Sequence, residues 1–296
     1  MVPEAKFGSY YGRPVLKPPT WKTPDVPVYM FLGGMAGAAA SMGVLAELTG
    51  RPALARVGRF AAAGGAAGGT VFLIHDLGRP ARFLNMLRTF KPTSPLSVGS
   101  WILAGFGTLT GAAAATEVTG WLTGAGRLAR YGAAVLGPAM MTYTAVLFAD
   151  TAVPAWHEAH RQLPFTFAGS ALGSGAGVGL IATPPSQAGP ARVMAVAGTA
   201  MELVAERRME TRLGLAGEPY QRGRAGRLMR AGRALTAAGA LAAAVSGRSR
   251  AVSVAAGLGL LAGSLVTRWG VFEAGRQSAT DPRYTVVPQR ERHAAR

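Results

Sequence analysis

The feature that most constrains this chain is where its charges are missing. Residues 28–46 and 133–149 contain no Asp, Glu, Lys or Arg. Each run approaches the roughly 20 apolar residues with which an α-helix crosses a bilayer. Only 15% of the whole chain is charged, against about 25% in ordinary soluble domains. Glycine (41 residues) and alanine fill the apolar runs and keep the mean hydropathy modest. That mixture suits membrane helices, because small residues let neighbouring backbones approach closely.

Eight segments are long and apolar enough to be read as spans: 26–48, 55–75, 97–119, 129–153, 165–182, 190–206, 231–246 and 251–271. The third and fourth are the clearest. The sixth is the weakest, since Glu202 and Glu206 fall at its end, and the glycine-rich fifth is expected to be irregular. The predicted fold class is therefore all-α, a polytopic transmembrane bundle of about eight helices in two four-helix groups. A polar N-terminal segment (1–25) precedes the first group (26–153). A connecting loop (154–164) separates it from the second (165–271), and a polar tail follows (272–296). The N-terminus has no apolar core of the kind a cleaved signal needs, so the first span serves as its own targeting signal.

Eight spans put both termini on one side, with the long connections 76–96, 154–164 and 207–230. Lys and Arg divide 23 to 8 in favour of that side, together the 31 of the chain. The positive-inside bias then places it in the cytoplasm of a cell-membrane protein. The same bias, with anionic lipid as counter-charge, accounts for the net charge of +17 without nucleic acid, for which no reading module is present.

The chain has no cysteine, so it supplies no thiolate-held iron–sulfur cluster, disulfide or cysteine nucleophile. Its four histidines are His75, His157, His160 and His293. A membrane haem held between two axial histidines finds no pair among them. His157 and His160 stand three apart, not four as in HExxH, so no metal site is read there. No lysine followed by serine or threonine trails the glycine clusters in phosphate-loop register.

Ionisable residues within or beside membrane helices are costly and mark function. On the long-loop side His75 and Asp76 end the second span, and Asp150 ends the fourth. Tyr143 lies two helical turns deeper than Asp150 on nearly the same face, and Tyr29 enters the first span at the depth of His75. An apolar pocket with an imidazole, a carboxylate and a phenol suits a quinone head group, which needs hydrogen bonds and a proton source while its tail stays in lipid. Capping and packing are the competing explanations for each residue. Glu47, Glu117, Glu202 and Glu206 are read as partners of nearby arginines rather than as a proton route.

The stretch His75-Asp76-Leu77-Gly78-Arg79-Pro80, followed by Arg82-Phe83 and by Lys91-Pro92-Thr93-Ser94-Pro95 to Gly99-Ser100-Trp101, resembles the NrfD/PsrC family. These are the membrane subunits of polysulfide and formate-dependent nitrite reductase type complexes. The likeness returns at Val26-Pro27-Val28-Tyr29 with Gly33, Gly34 and Gly37, and at Arg268 to Gly275, Ser278 to Pro282 and Pro288-Gln289-Arg290. It implies an eight-helix subunit with no redox cofactor of its own, binding menaquinone or ubiquinone near the face that carries an iron–sulfur (ferredoxin-like) partner. That partner serves a molybdenum-containing or other catalytic subunit. It also implies a quinone site in the first four helices, with His75 and Asp76 as proton-handling residues and Tyr143, then Tyr29 and Asp150, around the quinone. Arg79 and Arg82 would hold the loop or the partner. In several relatives the partner face lies outside the cytoplasmic membrane, whereas the charge bias here turns it inward. The competing function is a secondary transporter or ion-translocating subunit, using the glycine-interrupted fifth span and the glutamates of the sixth; the blandest is a structural anchor.

Overall fold

The computed structural model of the protein describes residues 15–294. Most of the polar N-terminal segment, and the side chain of His293, lie outside the described residues. The described chain is all-α: α1 (Asp25–Leu48), α2 (Pro52–Asp76), α3 (Arg82–Met86), α4 (Pro95–Thr119), α5 (Thr123–Ala149), α6 (Pro154–Glu158), α7 (Leu163–Ala182), α8 (Gly189–Arg212), α9 (Glu218–Gln221), α10 (Gly223–Val245), α11 (Arg250–Thr280) and α12 (Arg283–Ala294). Eight of these are long, one for each expected span. Six, namely α1, α2, α4, α5, α7 and α11, are long and apolar enough to cross a membrane.

Local chemistry sets the starts of these helices. Pro52 and Pro95 occupy first-turn positions where the absent N–H costs nothing. Ser249 caps α11 by accepting the Val252 N–H at 3.4 Å. Gly78, at φ +69°, ends α2 with a left-handed residue that a β-carbon would penalise.

α1 and α7 form the centre: 67% of the residues in the most apolar stretch of each are buried, against 28% in α2 and 33% in α4. α1 packs on α2, α5 and α7, and α7 in turn on α8 and α11. Glycines permit these crossings. A β-carbon on Gly137 would meet the Gly37 carbonyl at 2.6 Å, and one on Gly177 the Gly257 carbonyl at 2.8 Å. On the α8 side, a β-carbon on Gly169 would meet the Gly198 carbonyl at 2.6 Å. The glycine-rich fifth span is thus a regular, continuous helix, not the irregular segment expected. Its Gly169, Gly175 and Gly177 face neighbouring backbones, where a side chain would have no room.

Two connections and the C-terminal tail also differ from expectation. Residues 207–230 are mostly helical, since α8 continues to Arg212 and α10 begins at Gly223. Arginine stems lie along helix ends with their heads in water, so charge there does not end a helix. The connection after α5 contains α6, whose Ala155 and Trp156 are fully buried. The last long helix runs on to Thr280 and is followed by α12, so the expected tail is largely helical.

Candidate functional site

At the long-loop end of α1, α2, α4 and α5 lies a cavity of about 250 Å³. Val26, Tyr29 and Met30 line it from α1, Leu73 and Asp76 from α2, and Arg82 and Met86 from α3. Leu96, Gly99 and Ser100 of α4 and Tyr143, Thr144, Leu147 and Phe148 of α5 complete the wall, with Trp21 from the segment before α1. Leu96 is half-exposed, so the lining runs out to the outer surface of the helices.

Tyr143 of α5 brings a buried phenol to this space. Its side chain is 7% exposed, and its hydroxyl is buried without a hydrogen-bond partner. A buried hydroxyl left unpaired is unfavourable, so a ligand oxygen would satisfy it. The ring meets Tyr29 edge-on, with centroids 6.4 Å apart. It fits only because residue 99 is glycine: a β-carbon there would sit 2.6 Å from Tyr143 Cδ2.

Asp76 lines the cavity, and its Oδ1 accepts the Lys22 backbone N–H at 2.8 Å. His75 does not line it. One residue earlier on the helix, its ring turns outward and is 74% exposed, with Nδ1 2.8 Å from Oδ2 of the buried Asp25. Sequence reasoning passed over Asp25. Its signal was a carboxylate between two prolines at the mouth of an apolar helix, Pro24-Asp25-Val26-Pro27. Trp21, assigned only to a polar segment, was likewise missed.

The rear wall is aromatic. Phe148 stacks on Trp156 at 4.2 Å and on Trp21 at 5.1 Å. Trp156 donates its indole N–H to the Val271 carbonyl of α11 at 2.8 Å, and its ring lies over Gly275, where a β-carbon would collide with it. The Ala155 N–H donates to Ser278 Oγ, and the Tyr220 hydroxyl donates to the Ala155 carbonyl at 3.0 Å. Burial pushes the Tyr220 phenol further up, which keeps it a donor. Gly275 and Ser278, noted in sequence only as part of a resemblance, therefore hold α6 in place.

The remaining candidates lie elsewhere. Asp150 is exposed at the end of α5 and does not line the cavity, and Arg79 is exposed in the connection after α2. Glu47 and Glu117 pair with Arg59 (3.4 and 3.2 Å), and Glu47 also with Arg130 at 2.7 Å, at the opposite end of the same helices. Arg51, close to Glu47 in sequence, instead donates to the Thr49 carbonyl. Glu202 and Glu206 are buried; Glu206 is held by Arg233 at 3.0 Å, while both oxygens of Glu202 lack a hydrogen-bond partner. His157, Glu158 and His160 are exposed. Among the described residues no group of three or more His, Cys, Asp or Glu is arranged to hold a metal ion.

A sequence model of the family described as polysulphide reductase, NrfD, matches residues 17–187. That span is more than half of the chain and contains every residue that lines the cavity. No curated protein matches the sequence.

Proposed function

We propose, for a chain that belongs to the NrfD polysulphide reductase family, that this cavity takes the head group of a membrane quinone and serves electron exchange with partner subunits. The observation that carries the proposal is the buried, unpaired Tyr143 hydroxyl in an apolar space that also presents Asp76 and opens at Leu96. The space lies near the lower end of ligand-pocket volumes. It suits a ring system whose isoprenoid tail leaves along the lipid-facing surface.

A bound quinone would supply two-electron, two-proton chemistry. The protein's part is to bind, orient and exchange protons. The Tyr143 hydroxyl donates to a carbonyl oxygen, with Tyr29 packed edge-on to hold its ring. The Arg82 guanidinium, at the mouth, favours negative charge on the ring oxygens. Asp76 faces both the cavity and the wet surface, so it exchanges the proton. The His75–Asp25 pair stands one position outside it as a second proton-exchanging group. With no cysteine in the chain, electrons come from an iron–sulfur subunit docked on this end, which serves a catalytic, molybdenum-containing or other subunit. α8 and α10 complete eight crossings beside α7 and α11, with the long-loop end in the cytoplasm.

A photoreactive azidoquinone applied to native membranes tests this assignment. Label is expected on the segments around 96–101 and 143–148 and is displaced by excess menaquinone or ubiquinone. Label confined to other segments, or undisturbed by excess quinone, would remove it. A second reading, ion translocation through the second half of the chain, is favoured by the buried carboxylates of α8. Flux by the isolated chain in liposomes without quinone would support that reading instead.

A further inference from the structure

Far from the cavity, α8 divides its charges between two faces. Glu202, Glu206 and Glu210 recur every fourth residue and turn inward; the first two are 1% exposed, and Arg233 of α10 holds both Glu206 and Glu210. Met201, Ala205, Arg208 and Arg212 follow a different stripe, at i, i+4, i+7 and i+11, about a third of a turn round the helix. With Val204, and with Arg161, Gln162 and Phe165 at the start of α7, they line an outward groove of about 320 Å³.

Two observations define its occupant. The first is charge. No ion pair among the described residues involves Arg161, Arg208 or Arg212, because the carboxylates of α8 face away, with Glu202 buried and Glu206 and Glu210 held by Arg233 and Arg207. The second is order along the helix axis. Arg208 and Arg212 sit in the last turns, while the exposed Met201 and Val204 lie deeper. At 1.5 Å per residue, Met201 is about 16 Å from Arg212, roughly half the thickness of a hydrocarbon core. Phe165, 59% exposed, continues the apolar floor. Cations at the surface above bare apolar side chains are the complement of one lipid molecule.

We propose that this groove binds an anionic phospholipid, its phosphate on Arg161, Arg208 and Arg212 and its acyl chains along Phe165, Met201 and Val204. A zwitterionic lipid would leave three guanidinium groups without a net counter-charge. The proposal does not depend on the quinone assignment.

The test uses the full chain, in its native complex, reconstituted into phosphatidylcholine vesicles containing a minor share of cardiolipin. Lipid retained after detergent extraction is then counted by native mass spectrometry. Wild type is expected to keep one cardiolipin. The R161Q/R208Q/R212Q variant is expected to bind it about a hundredfold more weakly. R224Q/R227Q, which removes two exposed arginines elsewhere, should change nothing. V204S should weaken cardiolipin without changing binding of inorganic phosphate. The proposal is overturned if the triple variant retains cardiolipin as wild type does, or if phosphatidylcholine is retained equally. Complete displacement by inorganic phosphate would overturn it too, as would cross-links showing a partner protein seated in the groove.

Discussion

Replacing Tyr143 with phenylalanine removes one oxygen atom that has no partner in the protein. For a structural tyrosine, losing the hydroxyl forfeits a hydrogen bond and costs about 0.5–1.5 kcal/mol of stability. Here the sign is opposite. The hydroxyl is desolvated and unpaired, a situation that costs about 1–3 kcal/mol, so Y143F should leave stability unchanged or raise it by about 1 kcal/mol. The same change deletes the proposed donor to the quinone and should weaken quinone binding about threefold to tenfold. G99A probes the same ring from the other side. Its new β-carbon would lie 2.6 and 2.7 Å from two ring carbons, where apolar carbons prefer about 3.5–4.0 Å. The ring must then shift by about 1 Å, a displacement that can cost about a hundredfold in turnover, with about 1–3 kcal/mol of overpacking. Thermal unfolding of the solubilised native complex and steady-state quinone kinetics, with KM and kcat separated, give both readouts. A Y143F protein that is destabilised by more than about 1 kcal/mol while keeping its quinone KM would refute the reasoning.

Three further outcomes follow from other contacts. Arg233→Ala strands the buried Glu206 and should destabilise the protein by about 3–5 kcal/mol; in a double-mutant cycle by denaturant unfolding, adding E206Q should recover much of that loss. His75→Ala should change quinone affinity less than about twofold, because the ring points away from the cavity, while slowing proton-coupled turnover. Comparison with Asp76→Asn by quinone titration and rate measurement separates the two roles. Gly275→Ala should force Trp156 off α11 at a cost of about 1–3 kcal/mol, and a red shift of tryptophan fluorescence would report the displaced indole.

Six of the eight long helices are apolar enough to be readable as spans from composition, because burying a charge in lipid is expensive and such stretches carry few charges; α8 and α10, richer in charged residues, are legible only as helices. Their ends are less readable. Arg208, Arg212 and Arg224 sit within helical turns that a charge count assigns to a loop, since a long side chain can carry its charge away from its backbone. At the site, Tyr143 and Asp76 reach the cavity as the spacing suggests, and Tyr29 joins them across α1. Asp150 does not, because α5 ends one residue earlier and turns it to the surface. The outward turn of His75 depends on Asp25, a residue 50 positions away, and no local pattern around His75 encodes it. The rear wall was similarly hidden, since Trp156 is placed by Val271 and Gly275 rather than by its neighbours in sequence.

That rear wall bears on how the chain can be divided. Trp156 belongs to the link between the two sets of helices, and α11, from the far end of the polypeptide, fixes its indole. A fragment cut after Asp150 would keep the cavity's front and sides but lose its backing, leaving Phe148 and Trp21 without the surface they stack on. Excising or grafting the first four long helices as a self-sufficient module therefore requires carrying α6 and the last long helix along with them.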